Sequence, residues 1–127
     1  MKYLLDTHTA IWALSDKSKL SERAKTIIDD ESIPLCVSMA SAWEIAIKIS
    51  LGKLIFAGGS KSFLEKMRIN GVHILNINTS HIEQVERLPY IHRDPFDRLL
   101  VASAVADGLT IITSDTDIRR YNAASIW

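Results

Sequence analysis

Four short, nearly all-apolar runs recur along the chain, each separated from the next by a longer stretch of helical pattern. They are Tyr3-Leu4-Leu5, Leu35-Cys36-Val37, Val72-His73-Ile74-Leu75 and Thr110-Ile111-Ile112-Thr113. Runs this short and this apolar lack the polar alternation of a strand with one wet face, so each is expected to be covered on both faces. Short buried strands alternating with helix-length segments mark an α/β chain with a mostly parallel sheet. Ser125-Ile126-Trp127 offers a further short strand.

The intervening segments carry helix signals. Ser21 reads as a cap ahead of a stripe made by Ala24, Ile27 and Ile28. Helices are expected over 41–51, stopped by Gly52, over 60–69, and over 80–88, ended by Pro89. The clearest covers 96–107, opened by Asp94-Pro95 and closed by Gly108. With 127 residues, 47% hydrophobic and 24% charged, residues 1–127 are expected to form one globular domain. That excludes disordered, fibrous and disulfide-scaffold classes. No repeat, low-complexity tract or linker interrupts the chain, and Gly58-Gly59-Ser60 reads as a loop.

Charge and cysteine narrow the setting. Fifteen basic and fifteen acidic residues cancel, so a nucleic-acid partner must be held by local patches or by a metal rather than by bulk attraction. Cys36 is the single cysteine and lies in an apolar run, which fits a reducing compartment. Asp6 interrupts the N-terminal apolar stretch before a signal peptide could form. No apolar run approaches the ~18 residues of a membrane span. A cytoplasmic protein is expected.

The acids fall in telling places. Ligands of an open parallel sheet bind beyond the carboxyl ends of the strands, and Asp6 and Asp115 each follow an apolar strand. An Asp there can also simply cap the next turn. At about 100° per residue, Asp97 falls among Leu100, Val101 and Ala104 on the inward face of its helix. The helix dipole favours an acid in the first turn, but it does not explain an acid on an apolar face, where a carboxylate needs a cation, a donor or a proton. Periodicity puts Glu44 on a polar edge with Ser41 and Lys48, as a solvated i,i+4 pair. Carboxylates ~5 Å apart repel by about 3 kcal/mol per pair at an effective dielectric near 20. A cluster of them therefore retains protons or takes a hard divalent cation, Mg²⁺ or Mn²⁺. His8, His73, His81 and His92 show no ligand spacing; His8 is near enough to Asp6 to line the crevice, and the others read as surface or packing residues.

The order Asp6, Glu44, Asp97, Asp115 resembles the acidic set of PIN-domain ribonucleases, and the surrounding stretches are closer still to VapC-type toxins of toxin–antitoxin pairs. The stretches concerned are Leu4-Leu5-Asp6-Thr7-His8, Ser41-Ala42-Trp43-Glu44-Ile45-Ala46-Ile47-Lys48, His92-Arg93-Asp94-Pro95-Phe96-Asp97-Arg98-Leu99-Leu100 and Ile112-Thr113-Ser114-Asp115. The resemblance implies a three-layer α/β/α fold and an endoribonuclease whose four acids are catalytic and bind Mg²⁺ or Mn²⁺. It also implies a VapB-like antitoxin and a homodimer. It turns Glu44 into the crevice, against the periodicity, and makes Thr113 a hydroxyl beside the metal site. Asp94 and Asp117 remain either ligands or structural residues. Lys48, Lys53, Arg93 and Arg98 are candidates to hold an RNA backbone, the usual partner of such groups.

Two rival readings are weighed against this one. A receiver-like Mg²⁺-binding signalling module needs an acceptor Asp after a central strand and a late lysine, whereas Val37 leads into Ser38 and no lysine follows Lys66. A catalytically dead PIN scaffold is disfavoured by the presence of all four acids.

Overall fold

In the computed structural model, which describes residues 2–127, the apolar runs become five strands. Met1, counted in the 1–127 span, lies outside the described residues. The strands are β1 Tyr3–Leu5, β2 Leu35–Ser38, β3 His73–Leu75, β4 Thr110–Ile112 and β5 Ser125–Ile126. The helices are α1 Thr7–Ser15, α2 Glu22–Asp29, α3 Met39–Ser50, α4 Gly59–Ile69, α5 Thr79–Arg87 and α6 Pro95–Asp107, with short 3₁₀ turns at Lys17–Lys19 and Ile118–Arg120. The sheet order is β3-β2-β1-β4-β5, and every pairing is parallel.

Alternation along the strands divides the core in two. Leu5, Val37 and Ile112 pair across neighbouring strands and pack with Ala10, Ala24, Ile45, Phe63 and Met67, from α1 to α4. Leu4, Cys36 and Ile111 pair in the adjacent row and pack on the other face against Leu100, Val101 and Ala104 of α6. The fold is therefore a three-layer α/β/α sandwich around a parallel sheet, as expected. Cys36 is a buried free thiol, and burial pushes its pKa up to about 11. Among the described residues no helix is long and apolar enough to cross a membrane.

Local chemistry sets the element ends. Ser21 caps α2 by accepting from the Ala24 N–H at 3.0 Å. Ser38, the last residue of β2, caps α3 by accepting from the Ala40 N–H at 3.0 Å; that helix consequently starts two residues before the expected 41. Gly108 closes α6 at φ +66°, a left-handed turn that disfavours side chains with a Cβ. Helix α1 has no counterpart in the sequence reading. Its run from Ala10 to Leu14 is apolar all round and shows no contrast between faces, and its first turn holds two threonines, which are weak helix formers.

The connectivity creates the crevice. From central β1 the chain moves outward through β2 and β3, then crosses back to β4 and β5 on the opposite side. Strand order reverses between β1 and β4, where crossovers diverge and leave an opening at the carboxyl ends.

Leu4 is fully buried at the centre of the sheet, whereas Ile69 on α4 is 83% exposed. Leu4→Ala should cost about 2–5 kcal/mol, and Ile69→Ala should stay within about 0.5 kcal/mol of wild type. Urea-unfolding midpoints measure both.

Candidate carboxylate site at the strand ends

Asp6 and Thr113 occupy the ends of the adjacent strands β1 and β4. Asp6 caps α1, its Oδ1 accepting from the Thr9 N–H at 2.7 Å, and its Oδ2 accepts from the Thr113 hydroxyl. The same Thr113 oxygen accepts from the Asp115 N–H at 3.0 Å. One hydroxyl, fully buried, thus ties both strand-end acids together. Burial pushes the Asp6 pKa up, opposed by the bonds from Thr113 and Thr9. Asp115 Oδ1 accepts from the N–H groups of Asp117 at 2.8 Å and Ile118 at 2.9 Å, organising the following 3₁₀ turn. Asp6 and Asp115 therefore both act as caps of the element that follows their strand.

Glu44 comes from α3 and is only 4% exposed, so the solvated edge expected from periodicity is corrected. The edge made by Ser41 and Glu44 faces the protein rather than water: Ser41 Oγ accepts from the Thr7 hydroxyl at 2.9 Å, joining α3 to the start of α1. The i,i+4 pair is present, Lys48 Nζ to Glu44 Oε2 at 2.8 Å. Glu44 Oε1 is buried with no hydrogen-bond partner among the described residues.

Asp97 comes from the third position of α6, after Pro95 at the first. Asp94 is the cap, accepting from the Phe96 and Asp97 N–H groups at 2.9 and 3.1 Å. Asp97 Oδ2 lies 3.2 Å from His92 Nε2. Burial, followed by the charge of Asp94, lifts the Asp97 pKa to about 7; the His92 bond opposes the rise, and Asp115 and Glu44 add to it. Acids from α3, α6 and the β4–β5 connection therefore act on one another across the crevice. Trp43 and Phe96, the residues preceding Glu44 and Asp97, meet edge to face with centroids 5.1 Å apart, which braces α3 against α6.

The remaining expected residues divide. Asp117, half-buried, pairs with the exposed Arg120 at 3.2 Å. Lys48 is partly exposed and Lys53 and Arg93 are exposed, but Arg98 is buried, donating to Pro89 O and the Tyr121 hydroxyl, each at 3.0 Å. His8 is exposed and its ring lies 5.8 Å from that of Trp12. His73 is exposed, and His81 is buried in a capping box. Sequence reasoning gave no role to Thr7 or Tyr121, placed Ser41 only beside Glu44 on a polar edge, and read His92 as a surface or packing residue. For His92, the signal was its place five residues before Asp97, just outside the α6 cap.

Among the described residues no three His, Cys, Asp or Glu side chains converge into a ready-made ligand shell. A cavity of about 500 Å³ lies elsewhere, lined by Leu14, Ile28, Leu35 and Met67 among others, and none of the four acids borders it. The chemistry of the acids, not the depth of the hollow, distinguishes the site.

Comparison with known proteins gives this chain a family and structural neighbours. The PIN domain family profile matches residues 3–124. Ribonuclease VapC22 of Mycobacterium tuberculosis is 29% identical over 119 residues, covering 93% of this chain and 90% of that protein. VapBC2 from Rickettsia felis, solved bound to a DNA fragment from its promoter, superposes with a TM-score of 0.73 at 14% identity, covering 100% of this chain and 99% of the other. DNA-bound VapBC from Salmonella typhimurium gives a TM-score of 0.73 at 18% identity, covering 100% and 97%. At those identities the two structures speak for the fold.

The raised pKa of Asp97 has a signed consequence. The folded protein keeps a proton that the unfolded chain releases near its ordinary carboxylate pKa of about 4, so metal-free stability should fall as pH rises from about 4 to about 7 and then level. Asp97→Asn removes this titration. The metal-free variant should decline less across that window and melt several degrees above wild type at pH ~7.5, about 4 °C or more for each kcal/mol relieved. A variant melting at or below wild type there would place the Asp97 charge outside a crowded field. Thermal melts across the pH range measure it.

Proposed function

The chain belongs to the PIN-domain family, and from that premise we propose that residues 1–127 act as one metal-dependent endoribonuclease domain, the toxin of a toxin–antitoxin pair. In this reading Asp6, Glu44, Asp97 and Asp115 are the catalytic acids and hold Mg²⁺ or Mn²⁺. The observation that carries it is Glu44 Oε1, a carboxylate oxygen buried without a donor among the described residues. Such an oxygen is costly unless something positive meets it. The neighbours that lift Asp97 create the same demand from the opposite wall, since an adjacent positive charge favours ionised carboxylates. An all-oxygen donor set suits a hard cation.

When bound, such a cation supplies activation of a water nucleophile and neutralisation of charge on the scissile phosphate. The chain's own residues prepare the place. Thr113 fixes Asp6 through Oδ2 and holds the Asp115 backbone. Lys48 takes Glu44 Oε2 and leaves Oε1 open. Asp94 supports the metal side through the α6 cap, and Asp117, turned to Arg120, has a structural role. Lys48 and Arg93 are placed to contact RNA phosphates, with Lys53 beyond the end of α3; such contacts position the strand rather than read its sequence. Arg98 has its guanidinium committed inside the fold and is left out of RNA binding. The substrate is a single-stranded or loop region, where bases are accessible. The partners are a VapB-like antitoxin that covers the acids and a second copy of the chain, and the compartment is the cytoplasm. The similarity to VapC22 and to the fold of VapBC proteins supports these assignments.

Purified protein should cleave single-stranded RNA with Mg²⁺ or Mn²⁺ and lose that activity in EDTA. Asp6→Asn should lower the rate by orders of magnitude with the fold retained. Mg²⁺ should raise the melting temperature of wild type by linkage and of the variant much less. Expression without the antitoxin should arrest growth. Cleavage that persists in EDTA would overturn the metal reading, and a Mg²⁺-dependent melting shift without cleavage would identify a binding scaffold.

A further inference from the structure

Behind Asp97 lies a chain of hydrogen bonds that the acids themselves do not explain. Asp97 Oδ2 is 3.2 Å from His92 Nε2, and His92 Nδ1 is 2.8 Å from the Tyr121 hydroxyl. That hydroxyl in turn receives Arg98 Nη1 at 3.0 Å. Tyr121 and Arg98 are buried, and the His92 and Tyr121 rings meet at 63° with centroids 5.4 Å apart. Because Arg98 directly follows Asp97, the chain of bonds leaves the first turn of α6 and returns to it. It passes through the segment before α6 and the one following the Ile118–Arg120 turn.

The donor direction is set by chemistry. A guanidinium only donates, so the Tyr121 oxygen accepts from Arg98. The buried Tyr121 O–H then needs an acceptor, and among the described residues His92 Nδ1 is the one within reach. A nitrogen that accepts carries no proton, so in neutral His92 the proton sits on Nε2 and is donated to Asp97. Every link runs one way, from Arg98 through Tyr121 and His92 to Asp97. Arg98 has no carboxylate in ion-pair contact among the described residues. Its charge rests on Pro89 O, Val85 O and the face of Tyr90, 4.7 Å from the ring centroid.

We propose that His92 and Tyr121 are positioning residues for Asp97, and that Arg98 anchors them. The relay keeps Oδ2 engaged and leaves Oδ1 for a cation in the crevice. The inference rests on the metal-dependent reading above. Asp94, Glu44 and Asp115 all repel an ionised Asp97, and without the His92 donor its side chain would gain by rotating away from them. A one-way relay opposes that rotation without placing a cation of its own at the site. Partners that orient a ligating group typically alter metal affinity by about 10–100-fold.

Mn²⁺ binding, read from the electron paramagnetic resonance of the free ion, tests this without requiring turnover. Tyr121→Phe deletes one oxygen and keeps the ring; it should weaken Mn²⁺ binding about tenfold, and His92→Leu by about 10–100-fold. His92→Gln restores an N–H donor to Asp97 and should recover most of the affinity. A merely structural role would lower the melting temperatures and leave the Mn²⁺ affinity of the folded protein unchanged. Ring ¹⁵N shifts should place the His92 proton on Nε2 in wild type and show a mixture of tautomers in Tyr121→Phe. Wild-type affinity in both His92→Leu and Tyr121→Phe overturns the relay alone, as does a wild-type proton on Nδ1. A wild type that binds no Mn²⁺ overturns the metal reading together with the relay.

Discussion

Repulsion among carboxylates at the open ends of parallel strands is the constraint from which the rest of the site follows. Three devices restrain the four acids. Thr113 bonds the Asp6 side chain and the Asp115 backbone at once, Lys48 offsets the charge on one oxygen of Glu44, and the His92 ring lies within hydrogen-bond distance of Asp97. None of these fully neutralises the acids. Asp97 stays at about 7 and Glu44 Oε1 stays without a partner among the described residues. Repulsion of this kind lowers the stability of the fold at neutral pH, and in the proposed reading a bound cation would relieve it.

The stability that tolerates such strain lies beneath the site. Each of the three inner strands sends successive side chains into different cores: Leu4, Cys36 and Ile111 toward α6, Leu5, Val37 and Ile112 toward α1 to α4. The acids sit one to three residues beyond those anchors, or on α3 and α6, which pack over the same strands. Small shifts at the crevice would have to move close-packed interior, and that is expensive. The Trp43–Phe96 contact adds a direct tie between the helices that carry Glu44 and Asp97.

How much of this can be read from the sequence depends on whether a residue's neighbours are local. The parallel sheet is legible because three or four consecutive apolar residues, too few for a helix, can be buried on both sides only as a strand between two layers. The Asp94 cap and Pro95 fix the register of α6, and hence of Asp97, because capping is a contact between residues two and three apart. Periodicity misjudges Glu44 because burial of a polar edge depends on what lies across it, here Thr7 at the start of α1; only the resemblance turns it inward. Arg98 stands among the RNA-binding candidates because a charged residue looks exposed in sequence, while its partner Tyr121 is 23 positions away. The link from Tyr121 to His92 spans 29 positions and has no local signature. Helix α1 escapes for the opposite reason: its pattern is local but nearly uniform.

Diffraction from crystals soaked in Mn²⁺, with data collected at the manganese absorption edge, tests the central claim most directly. The expected result is anomalous density among the carboxylates of Asp6, Glu44, Asp97 and Asp115, with Glu44 Oε1 turned to the ion. Anomalous density confined to other parts of the molecule, or an unoccupied crevice at Mn²⁺ concentrations that support RNA cleavage, would contradict it.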